Sequence, residues 1–301
     1  MQKILVTGSN GLLGQKLTDL LLMDSNYLLI ATGLGDNRHP NKSINYIQLD
    51  ITDENNVQAV LQQHKPNFVI NTAAMTNVDA CETDKELCDK LNVDAVLYLS
   101  KSASAINAKL IHISTDFIFD GKSGPYKEDD KPNPLSYYGL SKLKGEEIVK
   151  AHAKEFAILR TVLVYGIVND MSRSNIVLWA KQALAEGKSI NVVDDQFRTP
   201  TLAEDLAMGC KLACDNNAIG IFNISGKDFM SIYELVERVA KFYGLSMETV
   251  TKSDSKNLNQ PAARPPVTGF VLDKAMSILN YQPHSFEEGI AIMQRQLEQL
   301  S

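Results

Sequence analysis

The chain has 301 residues, 44% hydrophobic and 22% charged, which is ordinary for a globular protein and long enough for one large α/β domain or a domain with a smaller companion. Its formal net charge is −6 and its lysines and arginines are scattered, so a nucleic-acid footprint is not supported. The longest apolar stretches, such as 20–23 and 27–31, are far too short to cross a bilayer.

Residues 3–7 (KILVT) read as a strand that starts almost at the first residue. No signal or transit peptide is therefore expected, and the protein is read as cytoplasmic. Helix is expected over 11–23, strand over 27–32 and 46–49, helix over 54–64 and strand over 67–71. A helix over 86–105, a strand over 109–114, a helix over 138–150 and a strand over 156–164 continue the rhythm. Strand and helix in alternation predict an α/β fold, a Rossmann-type doubly wound parallel sheet. The strands are continuous apolar runs, as burial on both faces requires.

After Gly166 the rhythm loosens. Helices are expected over 175–186, 202–215, 231–243, 273–279 and 285–299, with short strands over 189–193 and 221–224. Ser231 suits an N-cap and Gly244 a helix end. Residues 253–268 hold three prolines and many polar residues and read as an irregular loop. The expected division is a cofactor-binding unit over 1–166 plus about 195–226. A smaller, interleaved C-terminal substrate unit takes 167–194 and 227–301.

Residues 7–14 read TGSNGLLG, with Gly8, Gly11 and Gly14 between a strand and a helix. Such a loop leaves main-chain N–H groups free at a helix N-terminus, where a pyrophosphate is favoured by hydrogen bonding and by the helix dipole. Gly14 would let the helix pack closely on the sheet. The motif predicts a bound dinucleotide, with Asn10 and Leu12 in the same loop. An acid ending the second strand would favour NAD. None stands there: Asp36 comes a few residues late, and Arg38 can face a 2′-phosphate. NADP(H) is expected ahead of NAD(H). Asp50 and Ile51 after the third strand, and Ala73 and Ala74 after the fourth, are placed to edge the cofactor.

The strand over 109–114 runs into Thr115, Asp116 and Phe117, at the carboxyl edge where open parallel sheets bind ligands. The Thr115 hydroxyl can hydrogen-bond a carbonyl oxygen. Tyr138 and Lys142 follow at i and i+4, on one helical face. A phenol titrates near 10, and an ammonium about 4 Å away is expected to pull it toward neutrality and make it a general acid or base. Tyr137 has no lysine four residues on. Metal chemistry has little support. Cys81, Cys88, Cys210 and Cys214 form no CxxC pair, and His39, His64, His112, His152 and His284 are dispersed. His112, inside an apolar strand, reads as a core residue.

Together these residues resemble the extended short-chain dehydrogenase/reductase superfamily, and within it the dTDP-4-dehydrorhamnose reductase family. The similarity spans essentially the whole chain. It includes TGSNGLLG, LDITD (49–53), NTAAMTNVDACE (71–82), STDFIFDG (114–121), PLSYYGLSK (134–142) and LRTVLVYG (159–166). DQFRTPTLAEDLA (195–207) and RPPVTGFVLD (264–273) extend it. The resemblance implies a catalytic trio of Thr115, Tyr138 and Lys142 that reduces a 4-keto nucleotide sugar. Tyr138 would protonate the sugar oxygen, Lys142 hold the nicotinamide ribose and Thr115 orient the carbonyl. It also implies a supporting role for Asn92, and places Thr76, Asp116, Phe117, Leu163, Arg198 and Arg264 near the sugar. The family sometimes uses Mg²⁺, yet no carboxylate cluster here demands it. A homodimer through surface helices fits, although no stripe identifies the face.

Two departures bear on the substrate. Leu163 stands where the family often has tryptophan. Arg198 and Thr199 stand where small residues are common, and an added guanidinium can read a phosphate or carboxylate. Three other functions compete. A 4,6-dehydratase would carry glutamate where Phe117 stands. A 4-epimerase would recycle tightly bound NAD. A regulatory subunit of methionine adenosyltransferase resembles the same family and would bind cofactor without turnover.

Overall fold

The structure, a computed structural model, describes residues 1–169, 174–257 and 260–300. Part of the stretch 167–194 and residues 258 and 259 of the expected loop thus lie outside the described residues.

The first half runs β1 (Gln2–Thr7), α1 (Leu12–Leu22), β2 (Tyr27–Gly33), β3 (Tyr46–Gln48), α2 (Glu54–His64) and β4 (Phe68–Asn71). It continues with α3 (Val78–Thr83), α4 (Lys85–Asp89), a π-helical turn (Lys90–Asp94) and α5 (Ala95–Ala105). β5 (Lys109–Thr115), α6 (Tyr137–His152) and β6 (Phe156–Thr161) complete it. The second half holds β7 (Val164–Tyr165), α7 (Ile176–Ala185), β8 (Ile190–Val193), β9 (Phe197–Arg198) and β10 (Thr201–Leu202). Then come α8 (Ala203–Asp215), β11 (Gly220–Asn223), β12 (Met230–Ser231), α9 (Ile232–Tyr243), β13 (Val250–Ser253), α10 (Asp273–Leu279) and α11 (Phe286–Leu300).

Seven parallel strands form the central sheet in the order β11-β6-β5-β4-β1-β2-β3. Neighbouring residues on a strand point to opposite faces. On β1, Ile4 and Val6 enter a core with Leu17 and Leu21 of α1 and Leu206 of α8. Leu5 enters the other core, with Val57 and Leu61 of α2 and Val96 and Leu99 of α5. Both faces are therefore buried. The strand order reverses between β4 and β1, and the crevice beyond the carboxyl ends there is where doubly wound sheets bind ligands.

A third core gathers Val177 and Leu184 of α7, Val192 of β8, Leu235 and Val239 of α9 and Ile290 of α11. β8 pairs in parallel with β13, a strand the sequence did not signal because its burial is only partial and no alternation marks it. The expected strand over 156–164 stops at Thr161, since Leu163 sits at φ 40°, outside strand geometry. The expected helix over 86–105 is interrupted by the π turn. The polar loop after β13 bridges β9 through Val267 and Phe197, and returns to the first half through Phe270 and Tyr126.

Candidate active site

The glycine loop leaves β1 and enters α1 at Gly11, whose N–H donates to the Gly8 carbonyl at 2.9 Å. Gly11 is an extended N-cap with no side-chain capping bond, and the first helical N–H to find a carbonyl is that of Gln15. The N–H groups of Leu12, Leu13 and Gly14 thus have no partner within the helix. Ser9 Oγ, buried in the same loop, also has no protein partner. A Cβ on Gly14 would lie 2.3 Å from the Gly8 oxygen, so the loop packs on the helix only with glycine there. Free donors at a helix start fit a dinucleotide pyrophosphate.

Asn10 ties this loop to the end of β2. Its Nδ2 donates to the Asp36 carbonyl at 2.9 Å and its Oδ1 accepts the Arg38 N–H at 2.9 Å. Arg38 is exposed beside it. Ala73 N–H reaches Thr7 Oγ1 at 3.4 Å, which brings the Ala73–Ala74 pair against the loop. Asp50 is less available than the sequence suggests, because one of its carboxylate oxygens accepts both the N–H and hydroxyl of Thr52. Ile51 is packed into the core shared with α2, so its side chain turns away from solvent.

α6 is capped by Ser136, whose Oγ accepts the Gly139 N–H at 3.2 Å. A Cβ on Gly139 would lie 2.2 Å from the Phe117 oxygen, so glycine lets the first turn of α6 close on the end of β5. That contact places Tyr138 beside Thr115 and Phe117. The Tyr138 ring meets Phe117 edge-on, with centroids 5.7 Å apart. Thr115 Oγ1 donates to Asp116 Oδ1 at 3.1 Å and accepts the Phe117 N–H at 3.2 Å.

Lys142 corrects one expectation. Its Nζ donates to the Ile113 carbonyl at 2.7 Å and lies 3.5 Å from His112 Nε2. Burial pushes the Tyr138 phenol well above 10, and Thr115, not Lys142, is the hydrogen-bonding group that works against this. The reason is desolvation of a phenolate in a pocket built with Cys81 and Cys88, while the amine is engaged by β5. Burial brings Lys142 itself down to about 8.

Asn92 stands in the π turn, a distortion frequent at functional sites. Its Oδ1 accepts the Met75 N–H at 2.9 Å, and its Nδ2 donates to the Met75 carbonyl and to Ser141 Oγ, each at 3.0 Å. It therefore ties the loop after β4 to α6 between Tyr138 and Lys142.

Beside Phe117 opens a cleft of about 370 Å³. Asp116, Phe117, Leu163, Arg198 and Arg264 line it, as the sequence reading expects. Thr76 does not: it is exposed on the loop before α3 and is not part of the cleft wall. Arg264 is held by Asp79 in two bonds of 3.1 and 2.7 Å. Arg198 is a correction in role. Its guanidinium donates to the carbonyls of Phe197, Pro265 and Pro266 and to Gln196, and faces Asp116 at 3.9 Å. It closes the returning loop onto β9 and has few donors left for an anion. Asp116 is also committed, accepting the Thr268 hydroxyl, and burial raises its pKa against the pull of Arg198.

The sequence reading missed Trp179, Ile176, Val192 and Ile232, which form the apolar wall of the cleft. Trp179 is the only tryptophan in the chain and remains 41% exposed while Val177 and Ala180 beside it on α7 are buried. Its position four residues after the Asn175 N-cap was the available signal. Among the described residues no helix is long and apolar enough to cross a membrane, and no group of three or more His, Cys, Asp or Glu side chains could hold a metal ion.

Known proteins match this arrangement over most of its length. The dTDP-4-dehydrorhamnose reductase of Aggregatibacter actinomycetemcomitans is 30% identical, covering 96% of this chain and 97% of its own. Methionine adenosyltransferase 2 subunit beta of Bos taurus is 32% identical over 81% of this chain and 73% of its own. The structure of dTDP-4-dehydrorhamnose reductase from Bacillus anthracis in complex with NADP superposes with a TM-score of 0.83 at 26% identity, covering 98% and 99% of the two chains. The family model described as RmlD substrate binding domain matches residues 1–299, which takes in the glycine loop, the Thr115–Tyr138–Lys142 group and the cleft alike, and the chain belongs to that family.

Proposed function

We propose that this protein is an NAD(P)H-dependent oxidoreductase that reduces the keto group of a nucleotide sugar, with dTDP-4-dehydro-L-rhamnose as the first candidate. The observation that carries the reading is Tyr138, a buried phenol beside Thr115 and against Phe117 of the cleft wall, at the carboxyl edge of a sheet whose glycine loop fits a dinucleotide. NADP(H) is the expected cofactor, with Arg38 facing its 2′-phosphate, and NAD(H) the alternative. In this reading residues 1–166 and about 195–226 hold the cofactor, and 167–194 with 227–301 hold the sugar. The reading includes a cytoplasmic location, a homodimer and no nucleic-acid partner; a Mg²⁺ requirement is left to assay.

When bound, the nicotinamide supplies the hydride. Tyr138 supplies the proton: its raised pKa keeps the hydroxyl protonated across the neutral range, which suits a general acid acting on the sugar oxygen. Thr115 turns its hydroxyl from Asp116 to the same oxygen, polarising the carbonyl. Lys142, one helical turn from Tyr138 and brought down to about 8 by burial, is assigned the role of restoring the proton that the phenol gives up. Phe117 and the apolar wall with Trp179 exclude water around the reacting carbon.

The test is NADPH oxidation with enzymatically generated dTDP-4-dehydro-L-rhamnose. One NADPH consumed per product supports reduction; turnover with no net NADPH loss points to epimerisation. Tyr138→Phe should lower kcat by about 10²- to 10⁴-fold and leave NADPH binding nearly unchanged. An active Tyr138→Phe variant refutes the mechanism. The similarity to methionine adenosyltransferase 2 subunit beta favours a second reading, a cofactor-binding regulatory subunit. Co-purification with a synthetase and no turnover on any keto sugar would establish that one instead.

A further inference from the structure

His112 stands on β5, 1% exposed, and the reaction described above makes no use of it. It is the centre of a buried series of hydrogen bonds that starts beside the glycine loop. Ala73 N–H donates to Thr7 Oγ1 at 3.4 Å, which leaves the Thr7 hydroxyl free to donate to Asn71 Oδ1 at 2.6 Å. With its oxygen engaged, Asn71 turns Nδ2 toward His112 Nδ1 at 3.2 Å. A ring nitrogen that accepts carries no proton, so neutral His112 carries its proton on Nε2. Burial, with the nearby Lys142 charge, keeps the ring neutral by holding its pKa well below the usual value.

His112 Nε2 lies 3.5 Å from Lys142 Nζ. An N–H at that position finds a lone pair on a neutral amine. It finds only protons on an ammonium. We infer that His112 is a positioning residue for Lys142: fixed by Asn71 as the Nε2–H tautomer, it meets the amine with a donor and favours its neutral form in the unliganded protein.

The other groups facing Lys142 do not supply this preference. Glu146, on the same helix, favours the ammonium, but its carboxylate is held in two bonds of 2.9 and 2.8 Å by Arg160 of β6, with Lys150 at 3.6 Å. Cys88 of α4 and Cys81 of α3 also favour the ammonium, and Asn92 and Ser141 are neutral. The Ile113 carbonyl of β5 accepts one proton of the amine in either form. Burial and the His112 donor therefore act together, and they leave an amine able to take and give a proton near neutral pH. The inference rests on Lys142 as the proton-handling partner of Tyr138, yet its test needs no substrate.

The experiment follows the ¹³Cε signal of Lys142 against pH in full-length, lysine-labelled protein without ligand, assigned by its loss in Lys142→Met. Wild type should titrate near 8. In His112→Gln the amide can turn its oxygen to the ammonium, and the midpoint should rise by about one unit, a tenfold change in the amine-to-ammonium ratio. Thr7→Val touches neither His112 nor Lys142 by hydrogen bond; it frees Asn71 to flip, lets the tautomer reverse and should move the midpoint the same way. An unchanged midpoint in Thr7→Val overturns the inference even if His112→Gln shifts or does not fold, because the tautomer would then not be set through Asn71. NADPH oxidation by wild type is measured separately. Absent turnover with both shifts present would refute the proposed function and leave the role of His112 standing.

Discussion

Lys142 Nζ donates to the Ile113 carbonyl at 2.7 Å, joining α6 to the strand that carries Thr115. The i, i+4 spacing brings Lys142 onto the helical face of Tyr138, but the strand decides where the amine goes.

That arrangement has a stability consequence. The amine titrates at about 8 in the fold against 10.5 as its ordinary value. Between these values the unfolded chain binds more protons, so stability rises with pH through that window and the full cost is present at pH 7. The cost is roughly 3 kcal/mol, and losing the Ile113 bond costs about 1 kcal/mol. Lys142→Met should therefore be inactive yet about 2 kcal/mol more stable at pH 7, with the gain gone by about pH 10.5. Calorimetric Tm values across pH 7–10.5 check this. A variant less stable than wild type at pH 7 contradicts it.

Arg198 separates a binding role from a structural one. Its guanidinium is 3% exposed and joins β9 to the Pro265–Pro266 segment and to Asp116. Arg198→Ala removes the buried counter-charge of Asp116 and the donor to the Pro265 carbonyl, at a cost of about 3–5 kcal/mol. Urea denaturation should show that loss. A raised KM with unchanged stability would restore Arg198 as a substrate reader.

Gly14→Ala tests the cradle. The new methyl would sit 2.3 Å from the Gly8 carbonyl, and main-chain atoms must move to admit it. NADPH affinity, followed by fluorescence titration, should fall by more than about tenfold as the free N–H groups at the helix start lose their alignment. Unchanged affinity would mean that the pyrophosphate binds elsewhere.

The proposed NADP(H) preference rests on Arg38, in the loop that Asn10 holds. Arg38→Ser should lower kcat/KM for NADPH relative to NADH by about tenfold or more, since a guanidinium on a 2′-phosphate is a charge-assisted contact. A ratio that does not move assigns the preference to other residues.

The Rossmann order was legible because its causes are local. Apolar runs of strand length, amphipathic helices and a glycine loop between β1 and α1 are each written within a few residues, and the sheet follows from their alternation. Tyr138 and Thr115 could be named for the same reason: one lies at a capped helix start and the other at a strand end. The cleft beside Phe117 was less legible. Its apolar wall draws on Ile176 and Trp179 of α7, Val192 of β8 and Ile232 of α9, which no sequence window contains together. Electrostatics was the least legible. A guanidinium at 198 and an ammonium at 142 are visible in the sequence, but their roles depend on burial and on the carbonyls that reach them first. By itself the sequence determined the fold class, the glycine loop between β1 and α1, and the side chains proposed to react. Only the tertiary structure decided that burial raises the Tyr138 phenol, that Lys142 turns to Ile113 and His112, and that Arg198 is consumed as a brace. Desolvation and hydrogen-bond competition belong to the packed interior, and neighbours distant in sequence make that interior.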